Sequence, residues 1–217
     1  MKRLALFHHQ PQCSIESCNG MIRALSSKYE IKLFTIHDDI NEVLSDVDGI
    51  CFPGGFGDSD SYHDFFTRTK ANSIAAFIST GGRYIGVCMG AYWAGSRYFD
   101  ILNEVDAVQY IKRPTADIKR SYGTVADIEW LGQKEKMFFY DGCTFTGNGN
   151  YDTIARYSNG DPMTIIQGNI GLIGCHPESE LSWYEKPYQY INEHWHNGRH
   201  HDLLLAFVDK VIGGVVS

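Results

Sequence analysis

The sequence predicts an α/β protein: a parallel sheet with helices on both faces, followed by an antiparallel β excursion in the second half. Three observations carry this. Short apolar runs alternate with helically spaced segments through the first half of the chain. In the second half that rhythm gives way to period-two segments separated by turns. The chain has 217 residues, 43% of them hydrophobic and 21% charged, which suits one globular domain, residues 1–217, with a sizeable core.

The elements follow in order. Residues 4–7 form an apolar run and read as a buried strand. Residues 14–29 carry Ile15, Met21, Ile22 and Leu25 at near-helical spacing and read as a helix. Residues 31–36, β-branched and alternating, form a second strand. Residues 41–44 make a short helix or turn, and 48–52 a third strand ended by Pro53-Gly54-Gly55. A helix over 72–79 is closed by Gly81-Gly82. A fourth strand covers 84–87, and a helix runs from Ala91 onward. This β-α rhythm is that of a parallel sheet covered on both faces. Residues 107–111, 124–130, 136–140, 153–157 and 163–167 then read as antiparallel strands, with 131–135 as a hairpin connection. Residues 170–175 return to a buried strand, and an amphipathic helix over 203–212 closes the domain.

Composition excludes several classes. The formal net charge is −7, so the basic footprint of a nucleic-acid binder is absent. Lys112-Arg113 and Lys119-Arg120 are offset by nearby acids and read as a solvated loop. The apolar run after Lys2-Arg3 stops after four residues, short of a signal-peptide core of about 7–15. No run approaches the roughly 18 apolar residues that span a membrane. Six cysteines occur without a C-x-x-C pair, and Cys51, Cys88 and Cys175 sit in apolar runs where thiols pack as small hydrophobes. A reduced, cytoplasmic protein is the simplest expectation. A Cys13–Cys18 bridge is the alternative in an oxidising compartment.

The chemistry concentrates around Gly86-Val87-Cys88-Met89-Gly90. This G-x-C-x-G pattern is the thiol analogue of the nucleophile elbow, in which small flanking residues permit a tight strand-to-helix turn. The turn places the sulfur at a helix N-terminus, whose dipole favours thiolate. His176 follows the strand over 170–175, on the carboxyl edge where open α/β sheets bind ligands. It is the expected base, and Glu178, two residues on, is the expected orienting carboxylate. Gly54 and Gly55, after the third strand, supply backbone N–H groups that with that of Met89 form the expected oxyanion site. Each pattern alone also fits an ordinary turn or strand end. Their order along one predicted sheet edge makes a catalytic set.

The elbow, the upstream Pro53-Gly54-Gly55 and the downstream His176-Pro177-Glu178 resemble the class I glutamine amidotransferase superfamily. The fuller resemblance is to the N-terminal domain family of biotin–protein ligases and its free-standing relatives. It is carried by residues 81–95, by Phe139-Tyr140-Asp141-Gly142-Cys143, by 153–157 and by 173–178. The resemblance implies a flavodoxin-like, three-layer core and a Cys88–His176–Glu178 triad that needs neither metal nor cofactor. It does not imply glutamine. Where glutaminase members carry a substrate-holding Gln, this chain has Tyr92 after Ala91, and Tyr92 takes that place as the expected substrate contact. The sequence contains no synthetase or biotin-ligase segment, so an acceptor for ammonia would belong to a separate protein.

Two functions follow as expectations. One is a cysteine hydrolase or amidotransferase-like enzyme acting on an amide of a small molecule or peptide through a thioester. The other is a non-catalytic module that binds a small molecule or regulates. Four other features enter as lesser expectations. Residues 192–202, rich in histidine, read as a solvated segment; His196 and His200 have metal-ligand spacing, but Gly198 between them weakens a helix. His8-His9 lies on the same sheet edge as Cys88. Residues 56–62 read as a polar lid over Cys88. Tyr92 and Trp93 fit either a pocket wall or the core.

Overall fold

The computed structural model describes residues 1–8, 14–55, 58–186 and 190–214. His9, Cys13, Phe56 and Gly57, which figure in the expectations above, lie outside these.

The first half is the expected alternation. Strands β1 (Lys2–Phe7), β2 (Tyr29–Phe34), β3 (Gly49–Phe52) and β4 (Arg83–Val87) are interleaved with α1 (Ile15–Leu25), α2 (Ile40–Leu44), α3 (Tyr62–Phe65), α4 (Arg68–Ser79) and α5 (Met89–Trp93). Capping residues set the helix starts: the Ser14 side chain accepts from Ser17 N–H, Asp39 from Asn41 N–H, and Thr67 from Lys70 N–H. The helix over 72–79 therefore begins earlier than expected, at its Thr67 cap. The elbow helix begins at Met89 and lasts only to Trp93.

The second half contains β5 (Val105–Gln109), β6 (Thr124–Trp130), β7 (Gln133–Phe139), β8 (Cys143–Gly147), β9 (Asp152–Tyr157), β10 (Pro162–Gln167) and β11 (Ile170–Ile173), then α6 (Leu181–Tyr184) and α7 (Arg199–Gly213). The nine-stranded sheet has the order β2-β1-β3-β4-β11-β10-β9-β6-β7, and β5 pairs with β8 apart from it. From β2 to β11 the neighbours are parallel; from β11 to β7 they are antiparallel. The antiparallel excursion thus extends the main sheet. The 131–135 connection is shorter than expected: Trp130 pairs with Gln133, leaving Leu131 and Gly132 as a two-residue turn with φ of 46° and 81°. A tight hairpin turn with two left-handed residues matches strand twist, and the polar residues after it belong to the strand.

The strand period of two divides the core between the faces. In β1, Leu4 and Leu6 join one apolar cluster with Met21, Leu25, Phe207, Val208 and Val211, while Ala5 and Phe7 join another with Phe52, Ile74, Tyr84 and Trp93. Helices α1 and α7 cover the first face, and α4 and α5 the second. Cys18, Cys51, Cys88, Cys143 and Cys175 are free and buried. Among the described residues, no helix is long and apolar enough to cross a membrane.

Candidate active site

Strands β3, β4 and β11 lie side by side in parallel, with Phe52 opposite Gly86 and Val87 opposite Ile173. Their carboxyl ends therefore deliver Gly54, Cys88 and His176 to one edge. Cys88 sits at φ 48°, ψ −102°, a left-handed conformation that side chains rarely adopt and that concentrates at functional turns. Its N–H donates to Ile173 O at 2.8 Å. Both flanking glycines are sterically required. A Cβ on Gly86 would collide with the Gly90 backbone, and one on Gly90 with the Phe52 carbonyl.

His176 is 3% exposed and Glu178 is fully buried. Nδ1 of the ring bonds Glu178 Oε1 at 2.8 Å, and the backbone N–H of His176 donates to Phe138 O at 2.9 Å. Burial pulls the imidazole's pKa down, yet the Glu178 carboxylate and Cys88 beside it outweigh this and hold it well above the ordinary histidine value. The ring's Nε2 is buried and no described residue meets it at hydrogen-bond geometry.

A residue that sequence reasoning missed completes this arrangement. Ser17, buried on α1, donates to Glu178 Oε1 at 2.6 Å and accepts the Gly54 N–H at 2.8 Å. One hydroxyl thus ties the glycine turn to the carboxylate behind the histidine. Gly54 also packs against the imidazole, since a Cβ there would overlap His176 Cε1. Its N–H is consequently committed to Ser17, and of the expected oxyanion donors Gly55 and Met89 are the two without such a bond among the described residues. Gly20 on α1 is a further close approach, because a Cβ there would strike the Glu178 carbonyl.

A cavity of about 430 Å³ opens over His176, walled by Gly54, Gly55, Phe138, Tyr140 and Trp183. Ser14, Ser17, Glu16 and Lys186 also border it. Cys88 (4% exposed) is not part of its wall, and its thiol donates to Tyr140 O at 3.4 Å. The sheet edge thus gathers Cys88, His176, Glu178, Gly54 and Gly55. Tyr92 stands apart from the cavity: its hydroxyl donates to the carbonyls of Asp141 and Gly142 at 3.0 and 3.1 Å, which pins the β7–β8 turn to α5. Trp93 is fully buried and donates to Ser59 O at 2.9 Å, so it holds the 58–62 segment rather than lining a pocket. His8 does not border the cavity. Phe138 and Tyr140, two apart at a strand end, carried a legible signal; Trp183 and Ser17 did not.

The histidine-rich run is exposed or half-buried except at His200. His200 is 1% exposed, stacks on His196 with ring centroids 4.2 Å apart, and meets Glu135 Oε2 at 3.2 Å. Both nitrogens of His196 are engaged: Nδ1 accepts from the N–H groups of Gly198 and His200, and Nε2 lies 3.2 Å from Ser179 O. Among the described residues, no group of three or more His, Cys, Asp or Glu is disposed to hold a metal ion.

The family model for the N-terminal part of biotin–protein ligase matches residues 10–109, a span that contains Gly54, Gly55 and Cys88 and ends before His176. Solved structures share the fold over nearly the whole chain. A glutamine amidotransferase from Thermotoga maritima matches with a TM-score of 0.70 at 10% identity, covering 97% of this chain and 98% of that one. A second glutamine amidotransferase matches with a TM-score of 0.66 at 16% identity, covering 97% and 98%. An α-L-fucosidase from Paenibacillus thiaminolyticus matches with a TM-score of 0.62 at 12% identity, covering 98% of this chain and 33% of that one. No curated protein matches. At these identities the likeness establishes the fold, and the same fold occurs within different enzymes.

Proposed function

We propose that this chain, which has the class I glutamine amidotransferase-like fold and matches the biotin–protein ligase N-terminal family over residues 10–109, is a cysteine-dependent enzyme that cleaves an amide C–N bond. The observation that supports it best is the buried chain Gly54–Ser17–Glu178–His176 set beside a conformationally strained Cys88. Buried polar chains of this kind orient a base.

In this reading Cys88 attacks the amide carbon as thiolate, and the carbonyl oxygen gains charge facing the N–H groups of Gly55 and Met89. His176, protonated beside Glu178, gives its proton to the leaving nitrogen as the C–N bond breaks. A thioester remains on Cys88. Water attacks it, His176 takes the water proton, and the acid leaves as the thiolate reforms. An acceptor amine in place of water yields transfer, and a released ammonia would pass to a separate acceptor or synthetase protein.

One observation favours a second reading, a binding or regulatory module. Cys88 donates its S–H to Tyr140 O and does not reach the cavity wall, an arrangement that a non-reacting thiol satisfies. Iodoacetamide alkylation mapped to Cys88 by mass spectrometry across pH separates the two. The enzyme reading expects Cys88 to be modified rapidly below about pH 7 and His176→Ala to remove that low-pH reactivity, with Cys88→Ser as the control. Modification that rises only with ordinary thiol ionisation, and is indifferent to His176, supports the module.

A further inference from the structure

The cavity has a chemical character that its catalytic groups do not explain. Besides His176, Ser14 and Ser17, its wall is aromatic and glycyl. Phe138 and Trp183 are both largely buried and pack edge to face on each other at 5.2 Å, and each also packs edge to face on His176, at 6.0 and 5.5 Å. Tyr140 continues this wall toward Cys88, to whose thiol its carbonyl is bonded. Apart from His176, the charged residues that border the cavity, Glu16 and Lys186, are both exposed.

Two further facts bear on the occupant. The volume of about 430 Å³ is that of a small-molecule site and not of a polypeptide groove. Trp183 Nε1 is a buried N–H donor with no acceptor among the described residues, and buried donors ordinarily have one.

We propose that the cavity selects a small amide carrying a flat aromatic group, which lies against Phe138 and Trp183 while its amide is directed along Tyr140 toward Cys88, which lies behind that wall. The inference rests on the enzyme reading for its Cys88 chemistry, and on the cavity alone for its selectivity. Aromatic rings pack edge to face or offset on one another and shed apolar surface from water in doing so. An acceptor atom on the ligand would also answer the Trp183 donor.

Two measurements test this. The first compares alkylation of Cys88 by iodoacetamide, iodoacetate and N-phenyl-iodoacetamide in the full chain. The phenyl reagent is expected to modify Cys88 about tenfold faster than iodoacetamide, the equivalent of burying part of one ring. Trp183→Ala should collapse that ratio and Trp183→Phe should retain most of it. A ratio near one with Cys88 still reactive, or a preference for iodoacetate, overturns the aromatic selectivity and leaves the enzyme reading standing. The second measurement uses Cys88→Ser protein with benzamide and acetamide in thermal unfolding. Stabilisation by benzamide alone supports the selectivity even where Cys88 proves unreactive; equal or absent responses overturn it.

Discussion

At the residue scale, the site depends on where single polar atoms go. Ser17 Oγ has one proton to give and gives it to Glu178 Oε1, while accepting the Gly54 N–H. Replacing Ser17 by Ala leaves a buried N–H without a partner and a carboxylate oxygen shared by one donor fewer. Such losses cost about 1–3 kcal/mol. The expected outcome for Ser17→Ala is a fold that persists, an unfolding free energy lower by that amount, and a drop of about tenfold in the low-pH alkylation rate of Cys88, because about 1.4 kcal/mol of positioning is one factor of ten in rate. A destabilised protein whose alkylation profile across pH is unchanged would assign Ser17 a structural role only. The glycines of the elbow work by the opposite means, absence of a side chain: Gly86 and Gly90 let two backbone segments meet at Cys88 where any Cβ would intrude.

At the element scale, Ser179 and the start of α7 are joined by histidines whose burial favours the neutral form. His196 is pushed down to about 3 by burial first, then by its neighbours His200 and His201, and burial likewise lowers His200 although Glu135 opposes it. The groups that face this cluster are Glu135 and Arg199, joined at 2.8 Å through Arg199 Nε, together with Ser179, Tyr184 and Trp195. A histidine with a depressed folded pKa binds fewer protons folded than unfolded, so its contribution is complete above about pH 6.5 and is lost as pH falls toward its folded value. His176 has the opposite sign. Its raised folded pKa adds stability below about pH 6.5 that is lost as pH rises through the folded value. Thermal unfolding followed from pH 7 to pH 5 is expected to show a falling midpoint in the native protein and a shallower fall in His196→Phe. An acid slope that is identical in the variant would remove the cluster from the explanation.

At the scale of the whole molecule, one continuous sheet joins the parallel half that positions Cys88 to the antiparallel half that supplies Phe138 and Tyr140. Helix α7 packs across the junction: Phe207 lies against Gly171 of β11, and its ring centroid is 6.2 Å from that of Trp130 in β6. Phe207→Ala is therefore expected to weaken both halves together, by about 3–5 kcal/mol. In urea, far-UV circular dichroism and tryptophan fluorescence should shift to one lower midpoint and remain coincident. Separate midpoints would show two units that unfold independently.

What the sequence determined by itself was short-range. Apolar periodicity placed the strands of the parallel half, and G-x-C-x-G at a strand end announced a turn whose steric demand only small residues meet. The order Cys88…His176-Pro177-Glu178 was likewise legible, because parallel strands share one carboxyl edge. Tertiary structure decided the rest. Ser17 and Glu178 are 161 positions apart, and no spacing rule links them. Gly54 was expected to offer its N–H to an oxyanion, but the fold spends that donor on Ser17. Tyr92, placed by resemblance at a substrate position, gives its hydroxyl to the Asp141 and Gly142 carbonyls. The histidine run read as solvated because its polarity was visible; most of it is exposed or half-buried, and what the sequence could not show is that His200 is buried against Glu135 and that His196 meets Ser179. A side chain's partner is chosen by geometry in three dimensions, and residue type along the chain limits that choice without making it.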